Sequence, residues 1–196
     1  MTVLITPSSV VAFWKEAGPQ KWYAKDEAFD RAFRDAALDL HWAAARRELD
    51  DWIETAEGAL ALMILLDQYP RNSYRGTAHQ FATDSLGLMY AKQAWERGWP
   101  RTFEPDLRQF FVTPFEHSED PAEQDAALPL CADMPEVLKY AHIHRDIIVR
   151  FGRFPHRNRA LGRETTAEEI WREKTESKES KSLVFVSDIF PISFKS

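Results

Sequence analysis

The sequence predicts an all-α fold made of antiparallel helical hairpins stacked on one another. Apolar residues recur at intervals of three and four along most of the chain, as they do on the buried face of a helix. Short loops containing Pro or Gly separate about seven predicted helices, so consecutive helices are expected to run antiparallel. No segment before residue 182 has the pattern of a strand, and no repeat of fixed length is present.

The first two long helices have different patterns. Between residues 26 and 51, apolar positions such as Phe29 and Phe33 follow one face, while acids and arginines occupy the other. The next helix, "TAEGALALMILLDQYP", starts after Thr55 as N-cap and is apolar on almost every side. We expect it to end before Pro70, because the residue before a proline disfavours helical geometry. A helix that is apolar all round belongs in the middle of a fold.

The remaining helices are predicted from their start and stop signals. They span residues 84–100, which begin at the cap Asp84, then residues 105–112, and residues 134–152, which end at Gly152. Two more begin at capping boxes, in which a cap residue and an acid three positions later satisfy each other's backbone N–H groups. These boxes are Asp120 with Glu123 and Thr165 with Glu168.

The chain is predicted to form one helical domain, residues 1–174, followed by a tail. Residues 175–182, "TESKESKS", have the composition of a polar linker. The segment after it, "LVFVSDIFPISF", has strand propensity and no helical stripe. We therefore expect residues 175–196 to be weakly anchored to the domain.

Length and charge restrict the class of protein. A chain of 196 residues is long enough to bury a proper core. Its formal net charge of −6 argues against general nucleic-acid binding, although a local basic patch is compatible with it. The start, "MTVLITPSSVVAFWKEAG", has no basic region typical of a signal peptide, and no apolar run approaches the ~20 residues of a membrane span. We therefore expect a cytoplasmic protein without a membrane partner.

The strongest local signal is a basic segment, "IIVRFGRFPHRNRALGR", at residues 147–163. It contains five arginines and one histidine but no acid: Arg150, Arg153, Arg157, Arg159, Arg163 and His156. Some of these arginines are explained by capping of the preceding helix and by ion pairs with acids elsewhere. Guanidinium groups also suit carboxylates and phosphates. Because like charges repel, either protein carboxylates or an anionic ligand must lie among them.

The helix predicted at residues 134–152 carries His144 in line with core positions such as Ala141. His142 and Arg145 share an adjacent face. One interpretation of His144 is a hydrogen-bonded core histidine that bridges helices. The other is an acid, base or ligand-binding donor that faces a cleft, a role that suits its pKa near neutrality.

Two further segments contain polar groups next to apolar runs. In "LLDQYPRNSYRGTAHQFATD", Asp67 directly follows apolar residues, so it is expected to be partly buried and to need a cation. Arg71 follows in the same segment, which is equally compatible with an ordinary helix end. In "FVTPFEHSED", N-capping explains Asp120 but leaves His117 and Glu119 as site candidates.

No metal or other cofactor is expected. Cys131 is the only cysteine, which excludes an intramolecular disulfide and a metal site made of several cysteines. His142 and His144 are two positions apart and lie on different faces of a helix, so they cannot hold one metal together.

These segments resemble the bacterial family catalogued as the domain of unknown function 924. The matching text is "ILLDQYPRNSYRGTAHQFATD", "FFVTPFEHSEDPAEQ" and "HRDIIVRFGRFPHRNRALGRETTAEE", and the resemblance extends from "VVAFWKEAGPQKWYAKDEAFD" to about Glu169. It implies a TPR-like stack of helical hairpins and no assigned activity. The polar and charged residues of the matching motifs come from three segments and are Asp67, Arg71, His117, Glu119, His144, Arg153, His156 and Arg157. Their convergence on one concave surface is our hypothesis, because such groups must pair with each other or with a ligand.

The first functional hypothesis is a binding module in which a groove lined by Arg and His holds a carboxylate or phosphate group of a peptide or small molecule. The residues expected to bind it are Arg71, Arg145, Arg153, His156, Arg157 and Asn158. Nucleic acid is not expected as a partner, and the sequence does not predict an oligomeric state.

The alternative is a small hydrolase or transferase. His144 or His117 would act as general base, Asp67 or Glu119 would orient it, and arginines would stabilise developing negative charge. Ser118 is the one serine within a dense motif, and no convincing nucleophile is present. A carboxylate within hydrogen-bonding distance of a histidine that faces an open pocket would favour the enzyme. Motif histidines and arginines that are all buried against carboxylates, with no cavity nearby, would instead indicate a purely structural role.

Overall fold

The computed structural model of the protein describes residues 4–170, and all regular secondary structure in that range is helical. The all-α prediction is confirmed. The described range contains α1 (Pro7–Ala17), α2 (Pro19–Trp22), α3 (Glu27–Ala45), α4 (Ala56–Met63), α5 (Tyr69–Ser73), α6 (Asp84–Glu96), α7 (Pro105–Arg108), α8 (Thr113–Glu116), α9 (Pro121–Leu130) and α10 (Pro135–Phe151). Short 3₁₀ turns lie at Asp50–Glu54, Ala78–Phe81, Trp99–Thr102, Gln109–Phe111 and Pro155–Arg157. A π-helical turn, Ile64–Gln68, joins α4 to α5.

Helix α4 lies at the centre of the core, as its apolar sequence predicts. Every residue from Gly58 to Met63 is buried, and α1 and α6 pack against the helix. Aromatic rings extend this core on the α1 side, where the ring of Trp14 lies 5.4 Å from those of Phe33 and Phe110. The central position of α4 fixes the place of the π-helical turn that follows it.

The prediction that the central helix ends before Pro70 is wrong, since the helical path continues to Ser73. The π-helical turn explains how it passes the proline. The Tyr69 N–H donates to the carbonyl of Ile64, five residues earlier, which widens the helix at this point. Pro70 has no N–H group, so the carbonyls four and five residues before it lose their helical donor.

Side chains replace the missing donors. The Leu66 carbonyl accepts a hydrogen bond from the Thr83 hydroxyl at 2.5 Å, and the Leu65 carbonyl accepts one from Nδ1 of His41 at 2.9 Å. The next carbonyl, that of Asp67, accepts from the Arg71 guanidinium at 2.7 Å. The interrupted helix is therefore held by groups from α3, from the start of α6 and from α5 itself.

The His41 hydrogen bond determines the protonation of a histidine pair. Because its Nδ1 donates to a carbonyl, Nε2 of neutral His41 is an acceptor, and it lies 2.9 Å from Nε2 of His79, which must donate. His41 is fully buried. Burial lowers its pKa to about 4, and burial also lowers the pKa of His79. The pair is neutral at physiological pH.

Several predicted helix boundaries differ in detail. Asp84 is the first residue of α6 rather than its cap, and this helix ends at Glu96, just before the predicted stop signal that begins at Gly98. The short helix predicted at residues 105–112 is divided between α7 and a 3₁₀ turn. Gly152 ends α10 as predicted, with a φ of 67° that favours glycine.

The observed capping boxes also differ from the predicted ones. Asp120 caps α9 as predicted, but Glu123 binds Lys92 instead of closing a box. The second box lies one residue later than predicted: the Thr166 N–H donates to the Glu169 carboxylate at 2.7 Å, and the Glu169 N–H donates to the Thr166 hydroxyl at 3.3 Å. This shift matters because it assigns Glu169, not Glu168, to the turn beside the basic segment.

Consecutive helices α9 and α10 pack against each other, as expected of a helical hairpin. The TPR-like arrangement of the stack stays a prediction. The tail predicted at residues 175–196 lies outside the described residues. None of the helices between residues 4 and 170 is long and apolar enough to cross a membrane.

Gly58 is required where α4 packs against the preceding 3₁₀ turn. A Cβ atom here would lie 2.1 Å from the Trp52 carbonyl oxygen, so Gly58→Ala should lower the free energy of unfolding by about 1–3 kcal/mol. Gly87 in α6 is the matched control, since its added Cβ would meet Leu66 Cβ at 3.7 Å. Gly87→Ala should stabilise by about 0.5–1 kcal/mol. Urea denaturation of both variants tests the difference, and a stable Gly58→Ala protein would contradict it.

The histidine pair predicts a loss of stability in mild acid. Folded His41 stays neutral down to about pH 4, whereas the unfolded chain binds a proton below about 6.5, so stability falls as the pH drops between these values. The full effect is about 3 kcal/mol. His41→Gln, which retains a donor for the Leu65 carbonyl, should reduce this slope in urea denaturation measured from pH 7 to 4. The exposed His142→Ala should leave the slope unchanged.

Candidate functional site

Asp67, in the π-helical turn, is the centre of a buried polar network. Its side chain is fully buried and lies within hydrogen-bonding distance of four others. Oδ1 accepts from His117 Nδ1 at 2.6 Å and lies 3.1 Å from Arg71 Nη1. Oδ2 accepts from the Gln68 amide at 2.6 Å and from the Thr113 hydroxyl at 3.2 Å. The structure thus brings together two catalytic candidates from separate segments, Asp67 and His117, and the ligand-binding candidate Arg71.

The charges in this network determine the protonation state of His117. Burial opposes ionisation of Asp67, but the charge of Arg71 and the hydrogen bond from His117 outweigh it and lower its pKa. Burial, and then the charge of Arg71, lower the pKa of His117 despite its carboxylate partner. The result is a neutral imidazole whose Nδ1–H donates to an ionised carboxylate. Its Nε2 makes no hydrogen bond with residues 4–170, and 3% of the residue surface is exposed.

A second carboxylate, Asp84 at the start of α6, connects two arginines. Arg71 binds it through both terminal nitrogens, at 2.8 and 3.0 Å, and Arg157 binds it at 3.1 Å. The guanidinium of Arg157 lies between the rings of Phe81 and Phe154, 4.6 Å from each centroid. These rings exclude water and strengthen the ion pairs. The two buried arginines are therefore balanced by Asp67 and Asp84.

Glu116, the last residue of α8, was not predicted from the sequence. Its side chain is fully buried, and Oε2 lies 3.5 Å from Nδ1 of His144. The ring of His144 is in turn 6.0 Å from that of His117, edge to face. A signal was present: Glu116 follows the apolar run "FFVTPF", as Asp67 follows "MILL". The argument that assigned burial to Asp67 applies equally to Glu116.

Two ion pairs form a more exposed rim, which we define as Arg163 with Glu119 and Arg153 with Glu169. The Glu119 carboxylate accepts two hydrogen bonds from Arg163, both at 2.8 Å, and one from the Phe154 N–H at 2.8 Å. Glu169 accepts from Arg153 at 2.8 and 3.0 Å. The hydrogen bonds from Arg153 and Thr166 lower the pKa of Glu169 to about 2.

The remaining candidates divide between this region and the outer surface. Asn158 donates to Glu169 at 3.3 Å, and the ring of His156 lies 5.5 Å from that of Phe154. Arg145 instead pairs with the exposed Asp125. Within residues 4–170, the hydrogen bond of Arg145 is to Asp125 and does not connect it with the Asp67 network. The structure therefore separates Arg145 from the other ligand-binding candidates.

Neither of the two possible nucleophiles, Ser118 and Cys131, is activated. The Ser118 hydroxyl accepts the Asp120 N–H at 3.1 Å in the turn before α9. Burial, and then the charge of Glu116, raise the pKa of Cys131 to about 12, so its thiol is protonated at neutral pH. Within residues 4–170 no group of three or more His, Cys, Asp or Glu side chains is arranged to hold a metal ion.

A family model described as a bacterial protein of unknown function, DUF924, matches residues 10–174. The chain belongs to this family. A solved structure, described as that of a protein of unknown function from Agrobacterium tumefaciens, is 53% identical in sequence, and the match covers 87% of this chain and 97% of that one with a TM-score of 0.83. No curated protein matches the chain. The family assigned from the motifs is confirmed, and its activity has to be argued from the site.

Proposed function

We propose that this DUF924 protein is an acid–base enzyme in which His117 is the general base and Asp67 orients it. The observation that carries the proposal is the 2.6 Å hydrogen bond between His117 Nδ1 and the Asp67 carboxylate. It holds the imidazole in the tautomer whose Nε2 lone pair is available to accept a proton. The sequence alone left the choice between His117 and His144 open, and this contact favours His117.

The charges around the pair support the same assignment. A base that works near neutral pH must be unprotonated there, and burial with the neighbouring Arg71 lowers the pKa of His117 in that direction. Asp67 stays ionised, so it stabilises the imidazolium that forms when His117 takes a proton. The Thr113 and Gln68 hydrogen bonds hold Asp67 in place.

The reaction class follows from what lies beside the base. Ser118 and Cys131 are not placed as activated nucleophiles, so His117 would remove a proton from water or from a hydroxyl of the substrate itself. Hydrolysis or transfer to a bound hydroxyl fits this arrangement. His144, next to Glu116, is within reach to exchange the second proton that such a reaction requires.

Anion binding is a second candidate, favoured by the rim. Arg153 and Arg163 keep about a third of their side chains exposed, at 28% and 32%, and each already holds a carboxylate with two hydrogen bonds. A ligand carboxylate or phosphate would replace Glu169 or Glu119 in the same geometry. The cytoplasmic location, and the absence of membrane and nucleic-acid partners, stay predictions.

The acid–base proposal is tested by turnover of a panel of p-nitrophenyl esters, p-nitrophenyl phosphates and aminoacyl p-nitroanilides. His117→Gln keeps a donor towards Asp67 but removes the base, so we expect kcat to fall about 10²- to 10⁴-fold. In the unchanged protein, the rate should rise with pH through a pKa below 6.5, because only neutral His117 accepts the proton.

His142→Ala is the matched control, since His142 is exposed on α10 and has no part in the network. It should retain the full rate on any substrate that the panel identifies. Equal turnover by His117→Gln and the unchanged protein would contradict the proposal.

The anion-binding candidate is tested by thermal unfolding in succinate and in phosphate. A ligand at ten times its Kd stabilises the folded state by about 1.4 kcal/mol, a shift of a few degrees in Tm. We expect this shift to be lost in Arg153→Ala. Arg150→Ala is the control, because Arg150 pairs with Glu168 on the surface. Identical shifts in all three proteins would exclude a ligand at the rim.

A further inference from the structure

The proposed base, His117, is almost completely covered in this structure. Only 3% of its residue surface is exposed, so a substrate reaches the imidazole only if a neighbouring element moves aside. The element best built to move is the chain that follows α10, residues 153–170, which we call the cover segment. It contributes two buried side chains to the region of the site, those of Phe154 and Arg157.

These two side chains lie against the Asp67 network. The ring of Phe154 is 5.7 Å from that of His144, which in turn is 6.0 Å from the ring of His117. Arg157 donates a hydrogen bond to Asp84 at 3.1 Å. Displacement of the cover segment would therefore remove side chains that pack around the histidines.

The cover segment holds together as a unit. In the described part of the chain, its backbone-to-backbone hydrogen bonds join residues of the segment to one another. Glu169 also ties the start of the segment to its end, because its carboxylate accepts two hydrogen bonds from Arg153 and one from Asn158. Gly152 precedes the segment with a φ of 67°, and a Cβ atom added there would meet no atom within 4 Å. A unit of this kind can turn about a hinge at one flanking residue.

Glu119, in the turn between α8 and α9, holds the cover segment in place. Its carboxylate accepts the Phe154 N–H at 2.8 Å and two hydrogen bonds from Arg163, both at 2.8 Å. The side chains of Arg163 and Glu119 are 32% and 24% exposed, so water competes for this ion pair and solvates both charges when it breaks. Glu119 is also two residues from His117 in the sequence, which places this contact beside the base.

The network does not depend on the cover segment for its own integrity. If Arg157 withdraws, Asp84 keeps both hydrogen bonds from Arg71, at 2.8 and 3.0 Å. The hydrogen bond between His117 and Asp67 joins the end of α8 to the π-helical turn and does not involve the cover segment. The base and its carboxylate therefore stay in place when the segment moves.

We propose that the cover segment is a lid, hinged at Gly152 and latched by Glu119, that opens to admit a substrate to His117. This inference rests on the proposed acid–base function and adds the conformational step that access to its base requires. In the closed state the lid excludes water from the ion pairs of the network, which strengthens them.

Carbethoxylation by diethyl pyrocarbonate at pH 7, followed by tandem mass spectrometry, measures how often His117 is reached. In the unchanged protein, His117 should react more slowly than the exposed His142, because only the open fraction reacts. Glu119→Gln retains an acceptor for the Phe154 N–H but loses the ion pair with Arg163. We expect it to raise the His117 rate about two- to fivefold relative to that of His142. Arg163→Ala breaks the same pair from the side of the lid and should have the same effect.

Two controls separate lid opening from general loosening. Asp125→Asn breaks an exposed ion pair with Arg145 outside the lid, and it should leave the His117 rate unchanged. His41 is fully buried against His79, and its rate should not change in any of these variants.

Four results would overturn the lid. They are a His117 rate equal to that of His142 in the unchanged protein, no rise in either latch variant, an equal rise in Asp125→Asn, and a rise at His41 that accompanies the rise at His117.

The lid and the acid–base function fail in distinguishable ways, because the labelling needs no substrate. A His117 rate that depends on the latch, combined with turnover that is insensitive to His117→Gln, would reject only the acid–base function. Turnover that requires His117, combined with labelling that is unaffected by Glu119→Gln and Arg163→Ala, would reject only the lid.

Discussion

Pro70 has no N–H group to give to the central helix, and the polar network is arranged around the carbonyls that this leaves. The Leu65 and Leu66 carbonyls accept hydrogen bonds from the side chains of His41 and Thr83, and the neighbouring Asp67 carbonyl accepts one from Arg71. The Arg71 Nη1 that donates to this carbonyl also lies 3.1 Å from Asp67 Oδ1 and donates to Asp84, and Nη2 donates to the second oxygen of Asp84. One backbone carbonyl and two carboxylates thus hold Arg71 together, and His117 binds the same Asp67 side chain.

The sequence predicted the parts of this arrangement that depend on local pattern. Apolar spacing identified the helices and the central position of α4, and apolar flanks identified Asp67 as buried. The continuation of the helix through Pro70 was not predicted, because single-sequence rules treat a proline as a helix end, whereas here His41 and Thr83 come from distant positions to satisfy the freed carbonyls. The same limitation applies to the Thr166–Glu169 box, which the contact of Glu169 with Arg153 helps to fix.

The basic segment shows why residue type alone does not determine a ligand. Its arginines were expected to need either protein carboxylates or an anionic guest, and the fold supplies carboxylates: Asp84 for Arg157, Glu169 for Arg153 and Glu119 for Arg163. Every one of those acids lies outside residues 147–163. The cluster of arginines in the sequence therefore corresponds to a set of ion pairs with acids elsewhere in the chain. Only the three-dimensional structure could show which acid pairs with which arginine.

The distribution of these ion pairs determines the charge around His117. Arg71 pairs with Asp67 and Asp84, and Arg163 pairs with Glu119, so the neutral His117 lies in a network of paired charges. In the proposed acid–base function, the Asp67 carboxylate would stabilise the imidazolium that forms when His117 takes a proton from an O–H group.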